Sequence, residues 1–177
     1  MDILEHLEQE HRKVESLMDQ LSESDPGEER DRMVQELTEA LHIHMEVEER
    51  FLYPIVAQVA GQETEQEADI EHSLAREGLA TINDLSKKPG FGAAVDMLKG
   101  GVGHHVEEEE KEIFPKLRAD AHEQIKALDP EALETEVKRD GATKDELYRQ
   151  ARAADVPGRS NMTKDELARA VGDASAG

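Results

Sequence analysis

The sequence predicts an all-α protein, in which an up-down four-helix bundle is followed by a small helix, extended loop and helix at the C-terminal end. Apolar residues recur at steps of three and four along most of the chain, which is the spacing of one helix face. Charged residues make up 36% of the chain and aromatic residues 3%, a balance typical of amphipathic helices with solvated outer faces. Short connections between the predicted helices favour antiparallel neighbours and therefore a bundle.

The four bundle helices follow from four apolar stripes separated by turn signals. The stripes cover residues 3–21, 33–59, 68–85 and 94–117. Asp25-Pro26-Gly27 ends the first, Gly61 the second and Pro89-Gly90 the third, because glycine and proline interrupt helices. We expect the bundle to occupy residues 1–127.

The remaining residues are predicted to form a linker over 128–142 and a small module over 143–177. Two threonines in the module, Thr143 and Thr163, are each followed by a glutamate three residues later. This is the capping-box pattern, so each threonine should begin a short helix. Between them, the Pro157-Gly158 pair predicts a turn or an extended loop.

Composition also excludes several classes of function. The formal net charge of -21 disfavours a bundle that binds nucleic acid or an anionic membrane through a broad basic surface. Without cysteine there is no disulfide, thiolate site or cysteine nucleophile, so a metal would require nitrogen and oxygen ligands. The first residues are acidic where a signal peptide needs a basic end, and no apolar run approaches membrane-spanning length. We therefore expect a cytoplasmic protein with no membrane partner.

The candidate functional residues lie in an internal repeat with a period of 61 residues. In each half, one histidine is followed 33 residues later by a second histidine, and then by a glutamate four residues further on. Residues four apart lie on the same face of a helix, so each His-x-x-x-Glu pair can bind a metal ion from one side. The repeated residues are His11 with His72, His44 with His105, Glu48 with Glu109, Glu49 with Glu110, and Pro54 with Pro115.

These polar groups fall on the apolar stripes and not on the outer faces. His44 and Glu48, for example, occupy core positions between Leu41 and Leu52. An unpaired carboxylate in an apolar interior would cost several kcal/mol or become protonated, and a metal cluster removes that cost. A hydrogen-bonded core histidine would explain one such residue, but not six groups at matched spacing. The predicted metal ligands are His11, His44, Glu48, His72, His105 and Glu109.

The other four histidines fail these criteria. His6 and His122 are expected to face solvent. His42 and His104 each precede a glutamate by four residues, but they lie outside the 61-residue repeat and the apolar stripe. We therefore expect none of the four to bind the metal.

The order of a histidine, a His-x-x-x-Glu pair, another histidine and another such pair resembles the hemerythrin-like family, or HHE cation-binding domain. The aromatic–proline steps Tyr53-Pro54 and Phe114-Pro115 add to the resemblance, which covers roughly residues 1–125. It implies a non-haem centre of two iron ions with an oxo or hydroxo bridge. It also implies that both glutamates bridge the ions and that two histidines bind each ion. Manganese or zinc would accept the same nitrogen and oxygen ligands.

The resemblance further implies a protein that binds or reacts with hydrogen peroxide, nitric oxide or O2, in the handling of oxidative or nitrosative stress. A peroxidase-like, catalase-like or nitric-oxide-processing activity would fit such a centre. Oxygen-carrying hemerythrins resemble this chain but have a fifth histidine four residues after the third, where this chain has Arg76. We therefore expect reaction with oxidants, with reversible O2 binding as one alternative and an iron- or oxygen-responsive regulator as another.

Two further residues have open roles in the predicted site. Arg76 is expected either near the pocket or on the surface of the third helix. Tyr53 is a candidate additional ligand, but about half a helical turn separates it in phase from His44.

The C-terminal module resembles the Rho-termination-factor N-terminal-like and SAP modules through its two Lys-Asp-Glu-Leu segments and its Val156-Pro157-Gly158-Arg159 loop. Such modules bind nucleic acid or proteins, so the resemblance implies a partner of this kind for residues 143–172. These residues carry six Lys or Arg against five Asp or Glu, which disfavours strong phosphate binding. The alternative is a stabilising appendage, and in either case we expect the module to be separable from the metal site.

Overall fold

The structure, a computed structural model, describes residues 1–139, 144–159 and 162–175. Within these ranges the chain is helical and contains no β-strand, so the predicted all-α fold is confirmed. The described α-helices are α1 (Ile3–Ser22), α2 (Glu28–Val47), α3 (Tyr53–Val59), α4 (Gln62–Leu85), α5 (Phe91–Glu108), α6 (Phe114–Asp120), α7 (His122–Lys126), α8 (Pro130–Arg139), α9 (Lys144–Ala153) and α10 (Lys164–Ser175). Two π-helical turns, Glu48–Leu52 and Glu109–Ile113, join α2 to α3 and α5 to α6.

Four rods form the bundle: α1, α2 with α3, α4, and α5 with α6. Helix α1 packs against α2 and α5, and α4 packs against α3 and α5. Gly61 and Gly90 stand immediately before α4 and α5, with φ angles of 103° and 94° that favour glycine. The turns between the predicted helices are therefore where the sequence places them.

The sequence predicts a continuous second and fourth helix, but each contains a π-helical turn just before its proline. Pro54 and Pro115 have no N–H, so they cannot donate to the carbonyl group four residues back. The helix widens instead, and the Tyr53 N–H bonds to the carbonyl oxygen of Glu48. Phe114 repeats this bond in the second turn. Each widened turn holds an extra residue and rotates the residues that follow it.

The buried apolar side chains of the bundle form two clusters. Leu7 and Phe114 belong to one cluster, and Leu21 and Leu37 belong to the other; all four are fully buried. The histidines and glutamates of the apolar stripes lie between the clusters. A polar layer thus divides the core, as the sequence pattern predicts.

The predicted linker contains helix α8, which packs on the bundle. Val137 of this helix is buried in the cluster that holds Leu7. Glu136 pairs with Arg50 of the first π-helical turn at 2.9 Å. Apolar burial and an ion pair therefore fix this segment against the bundle, although its sequence lacks a long apolar stripe.

Helices α9 and α10 pack on each other and form a third, small cluster. Its buried members are Leu147, Tyr148, Ala151, Val156 and Leu167. The predicted capping box of Thr163 is present, because the Glu166 N–H donates to the threonine hydroxyl at 3.3 Å and the Thr163 N–H donates to the glutamate at 2.8 Å. Thr143 lies outside the described residues. None of the helices in the described ranges combines the length and apolar character needed to cross a membrane.

Candidate metal centre

Four buried histidines from four helices meet in two pairs in the polar layer. His11 of α1 faces His44 of α2, and His72 of α4 faces His105 of α5. The Nε2 atoms are 3.2 Å apart in the first pair and 3.1 Å apart in the second. Two ligand atoms at about 2.1 Å from one ion, at a right angle, would be about 3.0 Å apart. Each pair is therefore spaced to share one metal ion.

Glu48 and Glu109, the first residues of the two π-helical turns, are fully buried between the pairs. An oxygen of Glu48 lies 3.2 Å from the Nε2 atom of His44 and 3.3 Å from that of His72. An oxygen of Glu109 lies 3.3 Å from the Nε2 atom of His11 and 3.6 Å from that of His105. Each carboxylate thus contacts one histidine of each pair, which is the arrangement a bridging ligand needs.

The carboxylate oxygens of Glu48 and Glu109 are all buried, and none has a hydrogen bond within the described part of the chain. Burial and the charge of Glu109 raise the pKa of Glu48 well above its usual value. Burial lowers the pKa of His44, and that of His72 to about 4, so both imidazoles are neutral near pH 7. On the other side of the centre, burial opposes ionisation, but the charge of Glu109 raises the pKa of His105 and the charge of His105 lowers the pKa of Glu109 to about 2. Buried carboxylates without hydrogen bonds, beside imidazoles of which two are neutral, fit a divalent or trivalent metal ion.

A second layer of glutamates orients the four imidazoles. In each ring the Nδ1–H donates to a carboxylate, so the Nε2 lone pair points into the centre. The four hydrogen bonds are His11 to Glu110 at 2.8 Å, His44 to Glu10 at 3.1 Å, His72 to Glu49 at 3.0 Å and His105 to Glu71 at 2.8 Å. Carboxylate–histidine–metal triads of this kind raise the basicity of the ligand.

The orienting glutamates follow the same 61-residue repeat as the ligands. Glu49 and Glu110 appear in the predicted repeat but without a role, and Glu10 and Glu71 are not among the residues predicted from the sequence. A signal was present, because each of these two directly precedes the first histidine of its half. Their contact with a histidine of another helix depends on packing, which the repeat alone does not give.

The six predicted ligands come together as two groups that share one glutamate. The groups are His11, His44, Glu48 and Glu109, and Glu48, His72 and His105; in each, one ligand atom per residue lies within 4.8 Å of the others.

Comparison with known proteins decides the family. The family model described as the hemerythrin HHE cation binding domain matches residues 2–117, which is most of the bundle. The chain belongs to this family. Family membership and the two histidine–glutamate groups together indicate that this hemerythrin-like protein binds metal.

Two similar proteins are informative. A crystal structure of a hemerythrin HHE cation binding domain-containing protein from Mycobacterium kansasii has a TM-score of 0.60 and 23% identity, and the match covers 96% of this chain and 99% of that one. This likeness supports the fold. A DNA nickase of Nostoc sp. is 30% identical over 119 residues, or 67% of this chain. The match spans only 34% of the length of the nickase, whose name describes that longer protein.

Tyr53 contributes a hydroxyl group to the hemerythrin-like centre. Its Oη atom lies 2.9 Å from the Nε2 atom of His72, and its side chain is buried. The sequence places it half a turn out of phase with His44, because nine α-helical steps correspond to about 900°. The π-helical turn takes up one extra residue, so eight steps remain and the angle between His44 and Tyr53 around the helix axis is about 80°. The ring therefore points into the centre.

The two halves of the centre differ at this position. The repeat places Phe114 where the first half has Tyr53, and the Phe114 ring stacks on His11 with its centroid 6.0 Å away. The side of the centre near His72 therefore has a hydroxyl group, whereas the side near His11 has only an aromatic ring.

Arg76 is buried and not on the surface of the third helix. Its guanidinium group forms an ion pair with Glu49, with 2.8 Å between Nη2 and the carboxylate oxygen, and the same carboxylate accepts the Nδ1–H of His72. Burial acts to raise the pKa of Glu49, but Arg76, His72 and Lys144 outweigh it and hold the pKa well below its usual range. Arg76 therefore supports the centre from the second layer.

Lys144, the first residue of α9, extends this network into the C-terminal helices. Its Nζ atom lies 3.0 Å from Glu49 and 2.9 Å from Asp69, and its side chain is buried. Its backbone N–H donates to the buried carboxylate of Glu46 at 2.7 Å. The expectation that the module is separable from the metal site does not fit these contacts, because Glu49 links Lys144 directly to His72.

The other histidines lie outside the two ligand groups. His104 is 63% exposed at its side chain, and His42 is half-buried on the far side of α2 from the ligands. His122 is exposed, as expected. His6 was expected to face solvent, but it is half-buried because helix α8 covers it and Glu134 accepts its hydrogen bond at 2.8 Å.

Proposed function

We propose that this hemerythrin-like protein holds two iron ions and reacts with small oxidants, namely hydrogen peroxide, nitric oxide or O2, in the handling of oxidative or nitrosative stress. The observation that carries the proposal is the position of Glu48 and Glu109. Each carboxylate contacts one histidine of each pair, at 3.2–3.6 Å. A site for one ion would not need two carboxylates that each reach both pairs.

Each residue of this centre has a proposed role. One ion would lie on His11 and His44 and the other on His72 and His105, with the two carboxylates bridging them. Iron in such a site would supply electrons and a position for a small oxidant. The second-layer glutamates hold the imidazoles in place, and the two apolar clusters pack on either side of the polar layer. Manganese or zinc would accept the same ligand atoms, so the identity of the metal needs measurement.

Two features favour reaction with oxidants over reversible O2 binding. Arg76 stands where the similar oxygen carriers have a fifth histidine, and its guanidinium binds Glu49 instead of adding a nitrogen ligand. The Tyr53 hydroxyl lies beside His72, where it can donate a proton or add an oxygen ligand. With two histidines on each ion, both ions would keep an open position for an oxidant, and the Tyr53 hydroxyl lies beside one of them.

A second candidate function is that of an iron- or oxygen-responsive regulator. The contact of Lys144 with Glu49, and of Glu49 with His72, supports it, because a change at the centre can reach the C-terminal helices through three side chains. Residues 143–172 would then bind a nucleic acid or a protein. A change in helicity or partner binding on loading with iron, without turnover of an oxidant, would favour this candidate.

The first experiment is metal analysis and an optical spectrum of the fresh protein, with two variants as a matched pair. We expect two irons per chain in the wild type and a loss of iron in His105→Ala, because that change removes one ligand and strands Glu109. His104→Ala, next along the chain but exposed, should keep the iron. Retention of iron by His105→Ala together with its loss from His104→Ala would overturn the ligand assignment.

The second experiment mixes the reduced iron protein with O2 and then removes the gas. Rapid autoxidation and measurable consumption of hydrogen peroxide or nitric oxide would support the proposed reactivity. A stable oxygenated spectrum that reverses over many cycles would contradict it and would identify an oxygen carrier.

A further inference from the structure

A cavity of about 480 Å³ opens beside the metal centre, between α1, α2, α4 and α5. All four ligand histidines line its inner end. Its remaining walls are largely aliphatic, with Val14, Leu41, Met45, Leu98, Val102 and Val106 among them. The cavity is therefore an apolar space that ends on the imidazoles.

Exposed apolar side chains also lie at the mouth of the cavity, together with the exposed imidazole of His104. Leu74 of α4 and Met97 of α5 both line the cavity, and they are 63% and 80% exposed. Ile70, one helical turn before Leu74, is 51% exposed. Single exposed apolar residues need no explanation, but two of them at one opening, with a third one helical turn away, mark a surface that an apolar molecule can enter.

The volume exceeds what a small oxidant needs. A water molecule occupies about 30 Å³ in the liquid, and an apolar cavity of about 150 Å³ holds benzene. A space of about 480 Å³ lies within the usual range of sites for organic ligands. It would accommodate a chain or ring system of roughly ten to fifteen carbon atoms.

Charge narrows the class of ligand. Glu71 and Glu77 line the cavity, and the whole chain carries a net charge of -21. Both carboxylates are paired, Glu71 with His105 at 2.8 Å and Glu77 with Arg159 at 2.9 Å, and the described lining includes no Lys or Arg that could bind an anionic head group. A neutral molecule with an apolar body and one polar end would fit such walls. The polar end would face the histidines.

We infer that this cavity binds neutral alkyl or aralkyl hydroperoxides, with the peroxide group at the histidines and the hydrocarbon towards Leu74 and Met97. The inference rests on the proposed reaction with oxidants and gives it a substrate class. In the reaction the O–O bond breaks, one oxygen leaves as water after two protons and two electrons are taken up, and the other remains as an alcohol. A dithiol reductant supplies the two electrons and the two protons and becomes a disulfide.

Two neighbouring glycines of α5 offer a matched pair of variants. Gly101 lines the cavity, whereas Gly100 does not. A Cβ atom added at either position would meet no atom within 4 Å, and both residues are exposed. Gly101→Leu should therefore fill the mouth without disturbing the fold, and Gly100→Leu makes the same change outside the cavity.

The binding test uses the iron-loaded full-length protein and N-phenyl-1-naphthylamine, a neutral apolar fluorophore. We expect the wild type and Gly100→Leu to bind it, and Gly101→Leu to bind it roughly tenfold more weakly or worse. Octanol should displace the probe from the wild type and from Gly100→Leu. Equal binding by the two leucine variants, or a failure of octanol to displace the probe, would overturn the inference.

The activity test compares cumene hydroperoxide with hydrogen peroxide, each with a dithiol as reductant. The rate with cumene hydroperoxide divided by the rate with hydrogen peroxide should fall in Gly101→Leu and stay at the wild-type value in Gly100→Leu. Consumption of hydrogen peroxide without consumption of cumene hydroperoxide would overturn the substrate class alone. Probe binding without consumption of any oxidant would instead contradict the proposed function.

Discussion

The hydroxyl of Tyr53 is the main chemical difference between the two halves of the metal centre. The 61-residue repeat gives both halves the same histidines and glutamates, but Phe114 has no oxygen to match the tyrosine. Burial and the charges of Glu48 and Glu109 raise the pKa of Tyr53 well above its usual value. Without metal, the phenol is therefore protonated and donates a hydrogen bond to His72.

Tyr53→Phe tests the contribution of this hydroxyl. The change keeps the ring and makes the first half match the second, so we expect the bundle to fold and to keep its iron. The optical spectrum and the rate of peroxide consumption per iron should both change, because the oxygen nearest His72 is removed. A spectrum and a rate equal to those of the wild type would show that the hydroxyl does not act at the centre.

Charged side chains hold α9 on the bundle, together with the Tyr148 hydroxyl, which donates to Glu77 at 2.8 Å. Besides Lys144, Arg152 of α9 pairs with Asp84 of α4 at 2.9 Å. Both pairs hold α9 on the bundle, but only Lys144 touches the carboxylate that orients His72. A change at Arg152 therefore tests the docking of α9 alone, whereas a change at Lys144 tests docking together with the contact to the metal centre.

We expect Lys144→Met to lose iron to a chelator about tenfold faster than the wild type, since loss of a second-layer partner typically weakens metal affinity about 10–100-fold. Arg152→Met should lose iron at the wild-type rate, because Arg152 does not contact Glu49. The measurement is the rate of iron transfer to a coloured chelator. Equal rates in the two variants would show that α9 supports the fold only.

A polar layer divides the core of the whole bundle, and this makes metal binding part of folding. Glu48 and Glu109 lie fully buried between the two apolar clusters. Without an ion, two carboxylates face each other in an apolar interior. This lowers the stability of the native state, because in the unfolded chain both carboxylates are in water. An ion that binds the folded state and not the unfolded chain stabilises the protein by mass action.

Removal of the iron should therefore lower the stability of the entire bundle. At a free metal concentration about a thousandfold above Kd, binding contributes about 4 kcal/mol to the free energy of unfolding. We expect a lower Tm by circular dichroism after treatment with a chelator, and recovery when Fe(II) is added back. His104→Ala serves as a control that should respond like the wild type. Equal Tm values with and without iron would contradict the coupling.

The sequence by itself determined the helical fold and the candidate ligand set. Helical periodicity is a local property, so the stripe that holds Leu41 also shows that His44 and Glu48 face the core. The 61-residue repeat then relates both halves, and the six predicted side chains do meet in the structure. Their binding of iron stays a prediction. The division of the chain into domains, and the resemblance of the C-terminal module to Rho-termination-factor N-terminal-like modules, stay predictions as well.

Only the tertiary structure decided what surrounds the ligands. The phase of Tyr53 depends on the π-helical turn, which changes the angle per residue that the periodicity assumes. Arg76 and Lys144 reach Glu49 from segments far apart in the chain, and helix α8 covers His6 from within the predicted linker. Periodicity tells which side of a helix is buried, whereas the partner on that side depends on how separate helices pack.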